Sequence, residues 1–547
     1  MRLLRGISLL ALASSMALAQ TGSGSGQAQN SNVADELKAL REAIVAQQAQ
    51  ITQQQQQMSQ QQKQIESLQQ ELQAKNTVAP HVENAALTTT STVPSVAVTQ
   101  GDVKKPTESP LSFRIGGTDF TPGGFVDFGN VIRSTNTGGN LNTGYGSIPF
   151  SNTVQGHLTE FRSTGQYSRF NLKIAGKYGA NNVVGYVESD FNGNDAANVF
   201  VTSNSHTMRL RLYWVDLRRG KWEILGGQAW GMLTPNRTGV SPYNADLATT
   251  FNADANIQVG INYTRAGQFR AVYHPNDNFA WGVGLENPEQ FVGAGEVIFP
   301  FAFNAQLGPQ FDAANNTATP NAFPDVVTKM AYDTKAGGRS FHIEAGAIMT
   351  SAKVTVLPVG GTTFVHHSKT GGGVQGAFNF ELVKNFRVLG NALYGNGVGR
   401  YMIGLGPQVV MVPIALSATT FDATPSMVRA LDGLVGAELQ AGPKTQFGAY
   451  YGGVYFKRNA FPDVTSPLLV KPTIGFGGIN SPNSANRAIQ EGTFDWTQTF
   501  WKNPQYGAVN LVTQWSYVTR APWFVAAGAP KNAHLGMAYV SLRYIIP

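Results

Sequence analysis

The chain of 547 residues contains no cysteine, which excludes thiolate metal centres, a disulfide scaffold and a cysteine nucleophile. Charge is scarce too: Asp, Glu, Lys and Arg make up 13% of the sequence, against about 25% in typical soluble proteins. So little charge would suit a bundle of membrane helices, yet past the N-terminus no run approaches the ~20 apolar residues that one such helix needs. The formal net charge of +7 is small for this length, and the basic residues are mixed with acidic ones, so nothing points to nucleic acid as a partner. His-Glu-x-x-His, a phosphate loop and a Gly-x-Ser-x-Gly elbow are all missing. No catalytic residue, metal or cofactor is therefore expected. His366 and His367 are adjacent, and His342 lies two residues from Glu344; surface or lumen histidines explain these better than a metal site.

What the chain has instead is glycine and aromatics: 60 Gly, 31 Phe, 18 Tyr and 8 Trp. Its N-terminus carries Arg2 and Arg5, an apolar stretch from Ile7 to Leu18 and the exit Ala17-Leu18-Ala19. A basic start, a short apolar centre and an A-x-A site make residues 1–19 a secretory signal peptide. A flexible linker over 20–32 follows. Apolar residues then recur every seven positions at Leu37, Ile44, Ile51, Met58, Ile65 and Leu72. Val33, Leu40 and Leu68 hold the second heptad position, which Gln47, Gln54 and Gln61 occupy in the middle. This spacing predicts an α-helical coiled coil over 33–76, hence a homo-oligomer. A second linker, over 77–111, leads into the main domain at 112–547.

There the period changes from seven to two. Phe170, Leu172 and Ile174 alternate with Arg169, Asn171 and Lys173, and Val183 and Val187 oppose Glu188 and Asp190. Leu210 and Leu212 alternate with Arg209, Arg211 and Tyr213; Phe378, Phe380 and Leu382 oppose Asn379 and Glu381; Val435, Ala437 and Leu439 oppose Glu438 and Gln440. These are two-faced strands. Tight turns at 178–182, 219–221, 335–338, 383–385 and 442–444 alternate with long connections at 134–164, 234–255, 288–324, 403–425 and 459–486. Loops sorted by length in this way describe an all-β transmembrane barrel of the outer-membrane type. About 17 strand candidates can be marked and such barrels usually hold an even number, so 16 strands are expected, with 18 as the alternative. A barrel that wide encloses water and needs a polar inner face. Trp214, Trp222, Trp230, Tyr450, Tyr451, Trp496, Phe500, Trp501, Trp515, Tyr517 and Trp523 suit the two interfacial girdles. Val540, Leu542 and Tyr544 form an alternating closing strand.

The order of signal peptide, coiled coil and barrel, with the strand texts Ser168–Leu172, Val187–Phe191, Leu210–Leu212 and Gly226–Trp230, resembles the DcaP-like trimeric outer-membrane porins. The resemblance implies a homotrimer of 16-stranded barrels in the bacterial outer membrane, in contact with its lipid. It also implies a periplasmic stalk, for which peptidoglycan is a candidate contact, and diffusion of small anionic solutes such as dicarboxylates. The residues support a pore independently. With Leu210 and Leu212 on the lipid, Arg169, Lys173, Arg209, Arg211 and Tyr213 line the lumen, and the four cations form a basic ladder there. Glu188 and Asp190, on the intervening strand, either pair with them or set an opposing field. The loop 234–255, with Arg237, Asp246 and Asp254, is a candidate constriction; the alternative is an ordinary outward loop. The run Asp190 to Asp195 places oxygens at alternate positions but has Val201 where a calcium loop needs an acid, so a turn is expected. The competing function is a trimeric surface adhesin or structural envelope protein without a conducting pore; a stalk placed before a full-length barrel disfavours it.

Overall fold

The computed structural model describes residues 109–137, 142–193, 206–243, 247–249, 258–313 and 319–547. The signal peptide, the coiled coil and the linkers up to residue 108 lie outside the described residues, as do Asn194, Asp195 and Val201 of the calcium-like run.

Sixteen antiparallel strands form the wall. They are β1 (Thr118–Arg133), β2 (Glu160–Thr164 continued by Arg169–Tyr178), β3 (Asn181–Asp190), β4 (Arg209–Arg219), β5 (Trp222–Trp230), β6 (Arg265–Asn276), β7 (Phe279–Glu286) and β8 (Asp325–Ala336). The second half comprises β9 (Arg339–Val356), β10 (Val365–Val383), β11 (Phe386–Asn396), β12 (Arg429–Gly442), β13 (Thr445–Phe456), β14 (Asn486–Asn503), β15 (Gly507–Pro522) and β16 (Ala533–Ile545). The two segments of β2 count as one strand because both pair along β1, one beyond the other. The ring closes where β16, already paired to β15, pairs with β1. Closure leaves no edge strand with unpaired amides, the condition for a sheet to sit in hydrocarbon. The expected count of 16 holds.

Connectivity sorts the loops onto two ends. Every even-to-odd connection is a tight turn, such as Gly220-Lys221 and Gly337-Gly338, and the long connections all lie at the other end. Four of these carry structure of their own: single helical turns at Tyr145–Ser147 and Gln155–His157, a short helical segment at 301–310, a hairpin of Val409–Ala415 with Phe421–Met427, and a hairpin of Asn459–Pro462 with Thr473–Phe476.

Alternation decides which way each side chain points. Phe128, Leu210, Val215, Phe269, Leu285, Val435 and Leu542 are exposed on the outer face, while Arg133, Arg211, Arg270 and Lys329 are fully buried on the inner one. Val540, Leu542 and Tyr544 of the closing strand all lie outside. Two expectations from the sequence, Leu212 on the lipid and Tyr213 in the lumen, need correction. Leu212 is wholly buried and packs with Tyr186, Trp214 and Leu225, and Tyr213 is 44% exposed on the lipid face rather than lining the lumen. The cause is a β-bulge. Glu188 pairs with Leu212 and Ser189 with Leu210, so Arg211 has no opposite number and the parity of β4 shifts by one. Trp222, Tyr451, Phe500, Trp501, Trp515 and Tyr517 are exposed on the outside, as girdle residues should be. Trp214, Trp230 and Tyr450 are buried instead, because the first and last point inward and all three meet a long loop.

Candidate pore wall and inward loop

The sector β16–β4 carries most of the residues singled out in the sequence. Arg169 faces Asp190 across the β2–β3 ladder, and Lys173 faces Tyr186. Across the next pair, Arg209 donates from Nε and Nη2 to the two oxygens of Asp190, at 3.0 and 2.7 Å. Arg211, made an inward residue together with Leu212 by the bulge, donates Nε to Glu188 at 2.8 Å and Nη1 to Asp190 at 2.6 Å. The basic ladder is thus a braced network, not a row of bare cations. Around the seam, Arg133 pairs with Glu160 at 2.7 Å and Arg543 with Asp127 at 2.7 Å. Among the groups named here, six cations (Arg133, Arg169, Lys173, Arg209, Arg211, Arg543) face four carboxylates (Asp127, Glu160, Glu188, Asp190); the same strands add the Arg218–Asp216 pair and Arg162 beside Glu160, so the charge is positive but screened from within. Arg209 keeps 31% of its side chain exposed, whereas Arg211 is sealed.

Opposite this sector, the connection from β5 to β6, residues 231–264, lies against the inner wall. Met232 donates its N–H to Glu286 of β7 at 2.7 Å. Lys329 of β8 pairs with Glu344 of β9 at 2.7 Å and donates to the Thr234 carbonyl and Asn236 Oδ1 at 2.8 and 3.1 Å. The Asn236 N–H donates to Glu344 at 3.0 Å, and the Gly239 N–H to Asp333 at 2.9 Å. His342 sits between these carboxylates, its ring nitrogens 2.8 Å from Asp333 and 3.0 Å from Glu344. Arg237 grips Glu438 of β12 with both terminal nitrogens, at 2.7 and 2.6 Å. Further along, Thr249 shares a 2.6 Å hydrogen bond with Tyr450 of β13, the Val259 N–H donates to Glu491 of β14 at 2.8 Å, and Asn391 of β11 donates to the Gly260 carbonyl at 2.9 Å.

The path of this loop is set by sterics as much as by hydrogen bonds. Val259 and Gly260 pass over Gly433 of β12 and Gly452 of β13, where a Cβ at Gly452 would overlap the Val259 carbonyl and one at Gly260 would overlap the Gly433 carbonyl. Gly260 also has φ +94°, a conformation that glycine adopts at little cost. Tyr243 packs its ring edge-on against Tyr186 of β3 and Trp214 of β4, with centroids at 5.0 and 4.9 Å. Leu247, four residues later, packs with Leu389, Leu434 and Tyr450 of β11, β12 and β13. β4 and β12 are eight strands apart in a ring of sixteen, hence on facing sides of the axis. Four residues reach at most about 14 Å, so at this level the loop bridges the two sides of the lumen.

Of the loop residues singled out in the sequence, Arg237 is placed by this geometry, and Asp246 and Asp254 lie outside the described residues. The anchors Lys329, Asp333, Glu344, Asn391, Tyr450 and Glu491 were missed as a group. The available signal was a polar residue at each inward position of β8–β14, but those positions are scattered over about half the barrel sequence. Near the loop end, Arg400 pairs with Asp325 at 3.2 Å, and the Tyr401 hydroxyl donates to Asp325 and Glu286. Burial pushes the Glu289 carboxyl up to about 7, against the pull of the Arg400 guanidinium 3.8 Å away and with repulsion from Asp312.

No family model matches the chain, and no curated protein sequence does. Solved structures do. The outer-membrane channel DcaP of Acinetobacter baumannii superposes with a TM-score of 0.54 at 16% identity, over 80% of this chain and 100% of that one. An anion-selective porin from Comamonas acidovorans is more distant, with a TM-score of 0.40 and 11% identity over 78% of this chain and 100% of that one. The first likeness is one of fold, and it agrees with the resemblance read from the strand texts: this chain has the closed 16-stranded architecture of an outer-membrane porin-like channel.

Proposed function

We propose that the chain is an outer-membrane diffusion porin for small hydrophilic solutes, with preference for anions of the carboxylate type, and that it works as a homotrimer. The observation that carries the reading is the pairing of a positively biased wall, β16–β4, with a loop anchored across the lumen from it. A solute passing between them meets Arg209 and Lys173 on one side and the anchored loop on the other. Guanidinium groups match a carboxylate with two donors, and fixed charge in a low-dielectric passage raises the local concentration of ions of opposite sign. The loop 231–264 acts as the constriction. The coiled coil of 33–76 supplies the trimer contact on the periplasmic side.

Reversal potentials in a salt gradient test the selectivity. The wild type is expected to favour anions, and Arg209→Gln with Lys173→Gln to shift the potential towards zero, since these substitutions remove two of the sector's cations and none of its carboxylates. A cation-selective wild type, or an unchanged potential in the double variant, refutes the proposal. The mass of the detergent-extracted protein tests the trimer.

A further inference from the structure

A second cationic site lies on the long-loop end, away from the lumen sector described above. Trp523, just past β15, is fixed by donating its indole N–H to the Phe456 carbonyl at 3.0 Å. Two guanidinium groups converge on its ring: Arg458 lies 4.8 Å and Arg487 5.9 Å from the centroid. Arg487 is placed there by a bulge at the start of β14, where Asn486 and Ala488 pair with Pro522 and Ala521 and leave it without an opposite number. Lys531 and Arg487 line the same open cavity of about 550 Å³, whose floor is Val525, Ala526, Ala527 and Ala529 and whose lining contains no carboxylate. Arg458, Arg487 and Lys531 are exposed and, among the described residues, make no ion pair.

Holding two like charges on one ring costs energy that elsewhere in this barrel an acid offsets, as Asp190 does for Arg209 and Arg211. Among the described residues no acid is placed here, so the site is complementary to an anion that they do not supply. The apolar floor argues against a freely diffusing ion. So does position: Tyr455, exposed on the lipid face, packs edge-on against Trp523 at 6.1 Å, and aromatics of that kind mark the headgroup level of a bilayer. Basic pockets at this level take lipid headgroups, and an Arg fork matches a phosphate in two contacts.

We infer that Arg458, Arg487, Lys531 and Trp523 form a binding site for the phosphate of a phosphorylated glycolipid in the outer leaflet, with its sugar or acyl portion on the alanine-rich floor. The site sits on the barrel's outer rim and does not depend on the channel's selectivity. It is tested with the full-length protein in detergent, by binding of fluorescent diphosphorylated lipid A, dephosphorylated lipid A, and the first of these in competition with excess inorganic phosphate. Diphosphorylated lipid A is expected to bind, the dephosphorylated form not, and inorganic phosphate not to displace it. The triple variant Arg458→Gln, Arg487→Gln, Lys531→Gln should bind about 100-fold more weakly, and Lys531→Gln alone about fivefold. Because Lys531 makes no contact that holds the fold, the single variant keeps the test open if the triple variant does not assemble. Equal binding of both lipids, unchanged affinity in Lys531→Gln, or displacement by inorganic phosphate overturns the inference. So does loss of the oligomer in Lys531→Gln, which would assign the patch to a contact between copies.

Discussion

Arg237→Gln is the most informative perturbation of the inward loop. Arg237 and Glu438 retain 15% and 4% of their side-chain exposure, and two hydrogen bonds of 2.7 and 2.6 Å join them. Removing one partner of so enclosed a pair leaves the other charge without its counter-ion, which costs about 3–5 kcal/mol. The barrel does not depend on this pair, because its ladders are intact without it. The cost falls on the attachment of the loop, which retains its bonds to Glu286, Glu344, Tyr450 and Glu491. At 3 kcal/mol the equilibrium for local detachment rises by about 100-fold. Single-channel recordings should therefore show larger or flickering conductance in Arg237→Gln, with the melting of the barrel nearly unchanged. The Tyr450 hydroxyl also donates to Glu438 at 2.7 Å, so Glu438→Gln keeps a partner and should be milder. The double variant Arg237→Gln, Glu438→Gln removes the orphaned charge and should recover part of the effect. Wild-type conductance in Arg237→Gln, or a double variant worse than the sum of the two singles, refutes the reasoning.

Three further outcomes are expected. Cysteine placed at position 213 should react with a lipid-soluble maleimide in the folded protein, and at position 212 it should not; the reverse pattern would mean that the bulge of β4 is absent. Gly452→Ala should push the Val259 carbonyl off the wall and destabilise the loop by about 1–3 kcal/mol, read as raised conductance noise, whereas Gly492→Ala, with open space at its Cβ, should be silent. Burial holds the Glu289 carboxyl at about 7 in the folded chain, above its ordinary 4.5. Its contribution is therefore complete below about 4.5 and lost as pH rises through about 7. Thermal stability should fall across that window in the wild type, and the slope should flatten in Glu289→Gln.

Period-two alternation and the sorting of connection lengths were enough to specify the barrel. Each strand must place apolar atoms on lipid and polar atoms on the lumen, and that demand is written locally, residue by residue, in stretches such as Phe378–Leu382 and Val435–Gln440. The count of 16 followed from about 17 strand candidates and the even number that such barrels usually hold. The inward direction of Arg169, Glu188, Asp190, Arg209 and Arg211 was legible by the same rule.

What alternation cannot show is a place where it breaks. One unmatched residue, Arg211, turned Leu212 inward and Tyr213 outward, and a bulge is a property of two strands in register, not of either text alone. Nor does a local pattern say which charges meet. Arg237 and Glu438 are 201 residues apart in sequence, and only the closed ring brings the loop that carries one onto the wall that carries the other. The sequence by itself determined the wall of this protein, because hydrocarbon and water act on each side chain separately. Tertiary structure alone decided what crosses the lumen and which cations keep their charge unopposed, because both depend on distances that exist only once β16 has joined β1.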